Sequence, residues 1–201
     1  MLEAFLQRID NKDCPRCPRM SACKPVLQMT ESDIKKSIMF IAEAPGRLGA
    51  EISRIPLYGD QTGANFEELL QSAGLNRQQC YITNAVLCVP IDERGNNSSP
   101  KESEIRNCSS LLLEQIQIIM PILIVTLGKS ALMALHKIKK LQIKLPAIHE
   151  KPYVHDWNGF KILALYHLSP KVMNMFRNKE KQCADYKVIQ DWITEKERIL
   201  D

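Results

Sequence analysis

Hydrophobic positions follow two alternating rhythms along the chain. Unbroken apolar runs occur at residues 37–42 (SIMFIA) and 122–127 (ILIVTL), and β-rich stretches at 80–84 (CYITN), continuing to Cys88, and at 161–166 (KILALY). Such runs predict strands, the continuous ones buried on both faces. Between them apolar residues recur at helical spacing. Residues 1–10 put Leu2, Phe5, Leu6 and Ile9 on one face, and 64–73 (ANFEELLQSA) stop at Gly74, a helix-ending residue. A long helix over 101–120 follows Pro100, carries Glu102 and Glu104 near its positive end and stops at Pro121. Gly128 and Lys129 open another, to about Lys140, and a last one spans 185–200. Strands alternating with helices predict one α/β domain, a three-layer α/β/α fold around a central four-stranded parallel sheet. Residues 91–100 (IDERGNNSSP) read as an exposed polar turn.

The 201 residues suffice for one domain with a sizeable core. With 45% hydrophobic and 25% charged residues the balance is that of a globular protein rather than a disordered one. The longest apolar stretch, 116–127, is interrupted by Gln117 and Pro121, so no membrane span is expected. The N-terminus carries acids and lacks the basic-then-apolar order of a secretion signal, so the expectation is a cytoplasmic monomer. A net charge of +4 permits nucleic-acid binding without demanding it.

Seven cysteines, an odd number, argue for reduced thiols over a disulfide framework. Cys14-Pro15-Arg16-Cys17 opens an irregular, proline-broken stretch that ends at Cys23. Its spacing suits two thiolates on one metal centre, with Cys88 and Cys108 the best further ligands. The gap from Cys88 to Cys108 does not repeat a zinc knuckle. Thiolate chemistry alone leaves zinc, an iron–sulfur cluster and a redox pair open.

Three strand ends carry polar groups: Glu43, with Glu51 and Asp60 downstream; Thr83-Asn84; and His167 with Ser169. A parallel sheet brings such ends to one edge. There a carboxylate can handle water, an amide can read a base edge and an imidazole can stabilise a developing anion. Taken singly, a capping Glu43, a loop-satisfying Asn84 and a packed His167 are equally good readings. Leu127-Gly128-Lys129-Ser130 looks like the tail of a phosphate-binding loop, but position 123 is Leu where that loop needs Gly.

In chain order, Ala42-Glu43-Ala44-Pro45-Gly46, Pro56-Leu57-Tyr58-Gly59-Asp60, Ile82-Thr83-Asn84 and His167-Leu168-Ser169-Pro170 resemble the motifs of the uracil-DNA glycosylase superfamily. The likeness is to its iron–sulfur branches, whose patterns run G-E-A-P-G, P-F-x-G, T-N and H-P-S, and it spans about residues 12–195. It implies a [4Fe-4S] cluster on Cys14, Cys17, Cys88 and Cys108, with zinc the alternative. It also implies single- or double-stranded DNA as partner, and hydrolysis of the N-glycosidic bond of a flipped base.

Carried over position by position, Glu43, Ala44 and Gly46 form the pocket side nearest the sugar. Glu51 is the first candidate for water activation and Asp60 the second. Leu57 holds the place of a base-stacking Phe, with Tyr58 beside it; Asn84 reads the base, and His167 stabilises it as it leaves. Ser169 and the stretch 171–177 (KVMNMFR) press on the DNA. Lys171 and Arg177 meet phosphates there, Met173, Met175 or Phe176 acts as a wedge, and Asn174 lies between them. Arg54 places a cation beside the pocket loop. The departures at Leu57, Ser53-Arg54, Leu168 and the long 92–99 segment imply a pocket that admits uracil or another modified base, phage DNA included. A catalytically weak DNA-binding module is the other reading.

Overall fold

The apolar runs form the strands they predict. The computed structural model describes residues 2–10, 17–20, 23–28 and 38–200. In chain order the elements are α1 (Leu2–Asp10), a 3-10 turn (Pro18–Met20), β1 (Ile38–Ala42), α2 (Ala50–Ser53), α3 (Gln61–Ser72), β2 (Cys80–Asn84), α4 (Glu102–Ile119), β3 (Leu123–Leu127), α5 (Lys129–Ile138), β4 (Val154–Trp157), β5 (Phe160–Leu165), α6 (Pro170–Met175) and α7 (Lys179–Leu200), with a second 3-10 turn (Arg77–Gln79) before β2.

The sheet order is β2-β1-β3-β5-β4. Its first four strands run parallel, in the register Ala42↔Asn84, Ile41↔Thr126 and Leu127↔Leu165. The sheet has five strands where the sequence suggested four, because β4 adds an antiparallel edge to β5. Asn158 and Gly159, both at positive φ (50° and 83°), make the hairpin turn between them.

Strand residues alternate between two cores. Ile38, Phe40 and Ala42 face Phe66, Leu69 and Leu70 of α3 and Tyr186 and Ile189 of α7. Met39 and Ile41 face Ile105, Leu112 and Ile116 of α4 and Ala131, Ala134 and Leu135 of α5. Helices therefore cover both faces, as expected of a buried parallel sheet. A third cluster joins Phe5, Leu6 and Ile9 of α1 to Leu27 and Leu87.

Two connections differ from expectation. α7 starts at Lys179 rather than near 185, and residues 170–175 are a short helix, not a loop. Ser169 caps that helix by accepting the Val172 N–H, and Pro170 occupies its first turn.

Candidate active site

The C-terminal ends of β1, β2, β3 and β5 meet at one edge of the sheet. Glu43 follows β1, and its Oε2 accepts a hydrogen bond from Ser130 Oγ at 2.7 Å. The Gly-Lys-Ser tail thus orients a carboxylate rather than a phosphate. Gly128 makes this possible: it holds φ +94°, and a Cβ there would meet His167 Cβ at 3.2 Å. The glycine lets the β3–α5 turn pass directly beside His167.

His167 follows β5. The Ser169 backbone N–H donates to its Nδ1 at 3.1 Å, so the proton of the neutral ring sits on Nε2. Burial pushes the imidazole pKa below its ordinary value, against the opposing pull of the nearby Glu43 and Asp60 carboxylates. The ring is held as a neutral donor.

Glu43, Asp60 and His167 line one cavity of about 570 Å³, with Ala44, Gly46, Leu57, Tyr58, Ser169 and Lys171. Asp60 caps α3: its Oδ1 accepts the Gly63 N–H at 2.9 Å. Its Oδ2 lies 2.7 Å from where a Cβ on Gly46 or Gly49 would stand, so neither position admits a side chain without moving the carboxylate. Glu51 is not on this wall. It sits on α2, where its charge helps burial to raise the Cys23 thiol.

Asn84 ends β2 beside Ala42 and is 1% exposed, yet neither of its amide atoms has a partner among the described residues. A buried amide left unpaired costs about 1–3 kcal/mol per group; Asn84 does not itself line the cavity, but it ends its strand level with Ala42, one residue before the lining Glu43.

The pocket loop is held from behind by Arg77, a residue the sequence reading passed over. It pairs with Glu67 at 2.6 Å and donates to the carbonyls of Pro56 (2.9 Å) and Leu57 (2.6 Å). Its guanidinium lies 5.7 Å from the centre of the Tyr58 ring. Leu57, at φ 51°, turns largely into the core, while Tyr58 stays 48% exposed. The exposed aromatic of the wall is therefore Tyr58.

Other expected DNA contacts move. Arg54 is tied to the carbonyls of Pro25 (2.5 Å) and Lys24 (3.3 Å) and is absent from the cavity wall. Arg177 is buried and paired with Asp185, not displayed to solvent. Met173 packs against the core, whereas Asn174, Met175 and Phe176 are exposed. A second cavity of about 970 Å³ shares Glu43, His167 and Val172 with the first and runs along residues 143–149.

The described cysteines lie off the walls of both cavities. Cys17 Sγ accepts from the Asn107 side chain at 3.5 Å, one residue before Cys108 on α4. The Cys17 carbonyl accepts from Met20 and the Met20 carbonyl from Cys23, whose own carbonyl lies 3.8 Å from Cys88 Sγ. Contacts thus link Cys17 to the residue beside Cys108, and Cys23 to Cys88, while Cys14 lies outside the described residues. Among the described residues no three His, Cys, Asp or Glu side chains come together as a metal-binding group. No described helix is long and apolar enough to cross a membrane.

The profile of the Uracil DNA glycosylase superfamily matches residues 29–192. A type-4 uracil-DNA glycosylase of Saccharolobus solfataricus is 33% identical, over 85% of this chain and 78% of the relative. One of Thermotoga maritima is 32% identical, over 87% of this chain and 84% of its own. A type-5 uracil-DNA glycosylase of Pyrobaculum aerophilum is 30% identical, over 86% and 84%. With the profile spanning most of the chain and three strand ends presenting the matching residues, the chain belongs to the uracil-DNA glycosylase superfamily.

Proposed function

We propose that the protein is a monofunctional DNA glycosylase that hydrolyses the N-glycosidic bond of an extrahelical base, uracil first, and leaves an abasic site. The observation that carries this reading is the orphaned Asn84 amide beside the Glu43 strand end. It offers one donor and one acceptor to a base edge. The bond breaks with its electron pair going to the base, which leaves as an anion while positive charge grows on the sugar. His167 Nε2–H donates to that anion, a role suited to a neutral imidazole. Glu43, fixed through Oε2 by Ser130, keeps Oε1 to hold the water that adds at the sugar carbon and to take its proton. Asp60 adds a second negative charge near the cationic sugar.

Duplex and single strands carrying uracil, hypoxanthine, xanthine or modified cytosine, incubated and then treated with alkali, test the reading. Breaks should appear only after alkali. Glu43→Gln and Asn84→Ala should each slow cleavage by roughly 100-fold or more. Intact strands on every substrate would refute the enzyme reading. Breaks without alkali would instead give the Lys171 amine, on the cavity wall, a covalent role.

We also propose that Cys14, Cys17, Cys88 and Cys108 hold a [4Fe-4S] cluster. Bound there, it would cross-link the N-terminal segment, the stretch after β2 and α4. Anaerobically purified protein should contain iron and acid-labile sulfide and absorb in the visible, and Cys88→Ser or Cys108→Ser should abolish the colour. A colourless protein containing zinc would overturn the cluster in favour of a zinc site.

A further inference from the structure

The second cavity, about 970 Å³, is larger than the base cavity and joins it at Glu43, His167 and Val172. Glu43 and His167 are the groups assigned above to the sugar carbon and the leaving base. The two cavities therefore meet where the reacting sugar stands. With the extrahelical base in the first, the second opens onto the strand that leaves that sugar. Its size lies within the range of about 300–1,000 Å³ found for ligand pockets.

Its outer wall, residues 143–149, contains no helix or strand, yet it is fastened from behind. Tyr166 Oη donates to the Pro146 carbonyl at 2.8 Å. Buried Arg177 donates to the carbonyls of Ala147 (3.4 Å) and Ile148 (2.7 Å), and just beyond the wall to that of Glu150 (2.9 Å). The Ala147 N–H donates to Glu150 Oε2 at 3.0 Å, which closes the turn. The cavity is thus formed before any ligand arrives. Its lining is mostly apolar, with Leu132, Ile143, Leu145, Ile148 and Phe176. Ile148 and Phe176 are 42% and 48% exposed. Two exposed cations, Lys129 and Lys144, share the same walls. Apolar and aromatic surface flanked by positive charge suits a nucleotide, with the base on the former and its phosphate near the latter.

We propose that the second cavity takes the base of the nucleotide adjacent to the extrahelical one, on one side of it, so that the site grips two consecutive nucleotides of an unpaired strand. This rests on the glycosylase reading and deepens it, naming an unpaired dinucleotide as the substrate unit. Phe176, a candidate wedge by sequence, then serves as a surface on which the neighbouring base packs. The identity of that neighbour enters the reaction: a purine covers more of the apolar lining than a pyrimidine, and an abasic neighbour covers none of it.

The experiment uses single strands with one uracil, in which the adjacent nucleotide is adenine, thymine or a stable abasic analogue, varied first on the 5′ side and then on the 3′ side. On one side only, kcat/KM should fall in the order adenine, thymine, abasic, by roughly 10- to 100-fold across the series. Ala147→Trp puts a large ring into the cavity from its exposed wall and keeps the backbone carbonyl that Arg177 binds. It should cost a similar factor on the adenine-neighbour strand and add nothing to the loss already present on the abasic-neighbour strand. Rates that ignore the neighbour, or respond equally to both sides, would overturn the proposal, and the wild-type series alone decides this. An Ala147→Trp loss equal on every strand would overturn it too, since the cavity would then serve the strand as a whole. Affinity for the same strands with an abasic analogue in place of the uracil reads the neighbour preference without chemistry. Wild type that shows this preference but releases no base would refute the glycosylase reading and not the second cavity's occupant.

Discussion

Replacing His167 with alanine should lower kcat by roughly 100- to 1000-fold, the effect of removing one donor aimed at developing negative charge. Binding of abasic DNA should change little. The structure gives the reason in two bonds. Ser169 N–H occupies Nδ1, so the only proton of the neutral ring points from Nε2. Protonating Nδ1 would break that bond, and burial already lowers the pKa. The acid limb of the wild-type rate profile should therefore fall below the ordinary imidazole value of about 6.5.

The same shift affects stability, with a definite sign. A histidine whose pKa is depressed on folding binds fewer protons in the native than in the unfolded chain. Its contribution is present in full above about 6.5 and is lost as pH falls from there through the folded value. Unfolding of the wild type between about pH 7 and pH 5, compared with His167→Ala, should show this loss, and the variant should lack that component. An acid limb above 6.5, or wild-type kcat in the alanine variant, would remove His167 from the reaction.

Much of this site was legible because it depends on local signals. β2 runs Cys80–Asn84 and stops there rather than continuing to Cys88, and its last polar residues, Thr83 and Asn84, mark the sheet edge. The strand-end positions of Glu43, Asn84 and His167 were legible in this way. β4 escaped because an edge strand is half in water and its sequence, VHDW, lacks an apolar run. The Asn158-Gly159 turn was its one readable sign. α6 announced itself in Ser169-Pro170, a cap followed by a first-turn proline, and could have been read.

What sequence could not show is where long side chains go. Glu51 and Asp60 are both carboxylates downstream of Glu43 in the chain. Only the path of α2 turns one toward Cys23 and leaves the other capping α3 at the cavity. The 91–99 segment is polar because its hydrogen bonds close on themselves and on Arg19, not because it is idle. Arg54 and Arg77 are alike in sequence, yet both spend their charge on backbone carbonyls, of Lys24 and Pro25 and of Pro56 and Leu57.

Arg177 shows the same point with the largest energetic consequence. By sequence it sits at the end of KVMNMFR, where a cation invites a phosphate. In the structure its side chain and that of Asp185 are 5% and 3% exposed, and they meet in a two-point pair at 2.6 and 2.8 Å. The remaining N–H groups reach the carbonyls of Ile148 (2.7 Å), Glu150 (2.9 Å) and Ala147 (3.4 Å). One residue thus ties the start of α7 to the loop that walls the second cavity. Arg177→Met should cost about 3–5 kcal/mol, the penalty for leaving a buried charge without its partner. Burial, which already raises the Asp185 carboxyl, would then go unopposed. Adding Asp185→Leu removes the stranded charge but not the need of three carbonyls for a donor. The double variant should therefore recover only part of the loss, where a simple ion pair would recover nearly all of it. Denaturant midpoints of the two variants at constant slope decide the matter. If Arg177→Met instead folds as well as wild type and loses DNA affinity together with part of its salt dependence, the phosphate contact is right and the clamp is wrong.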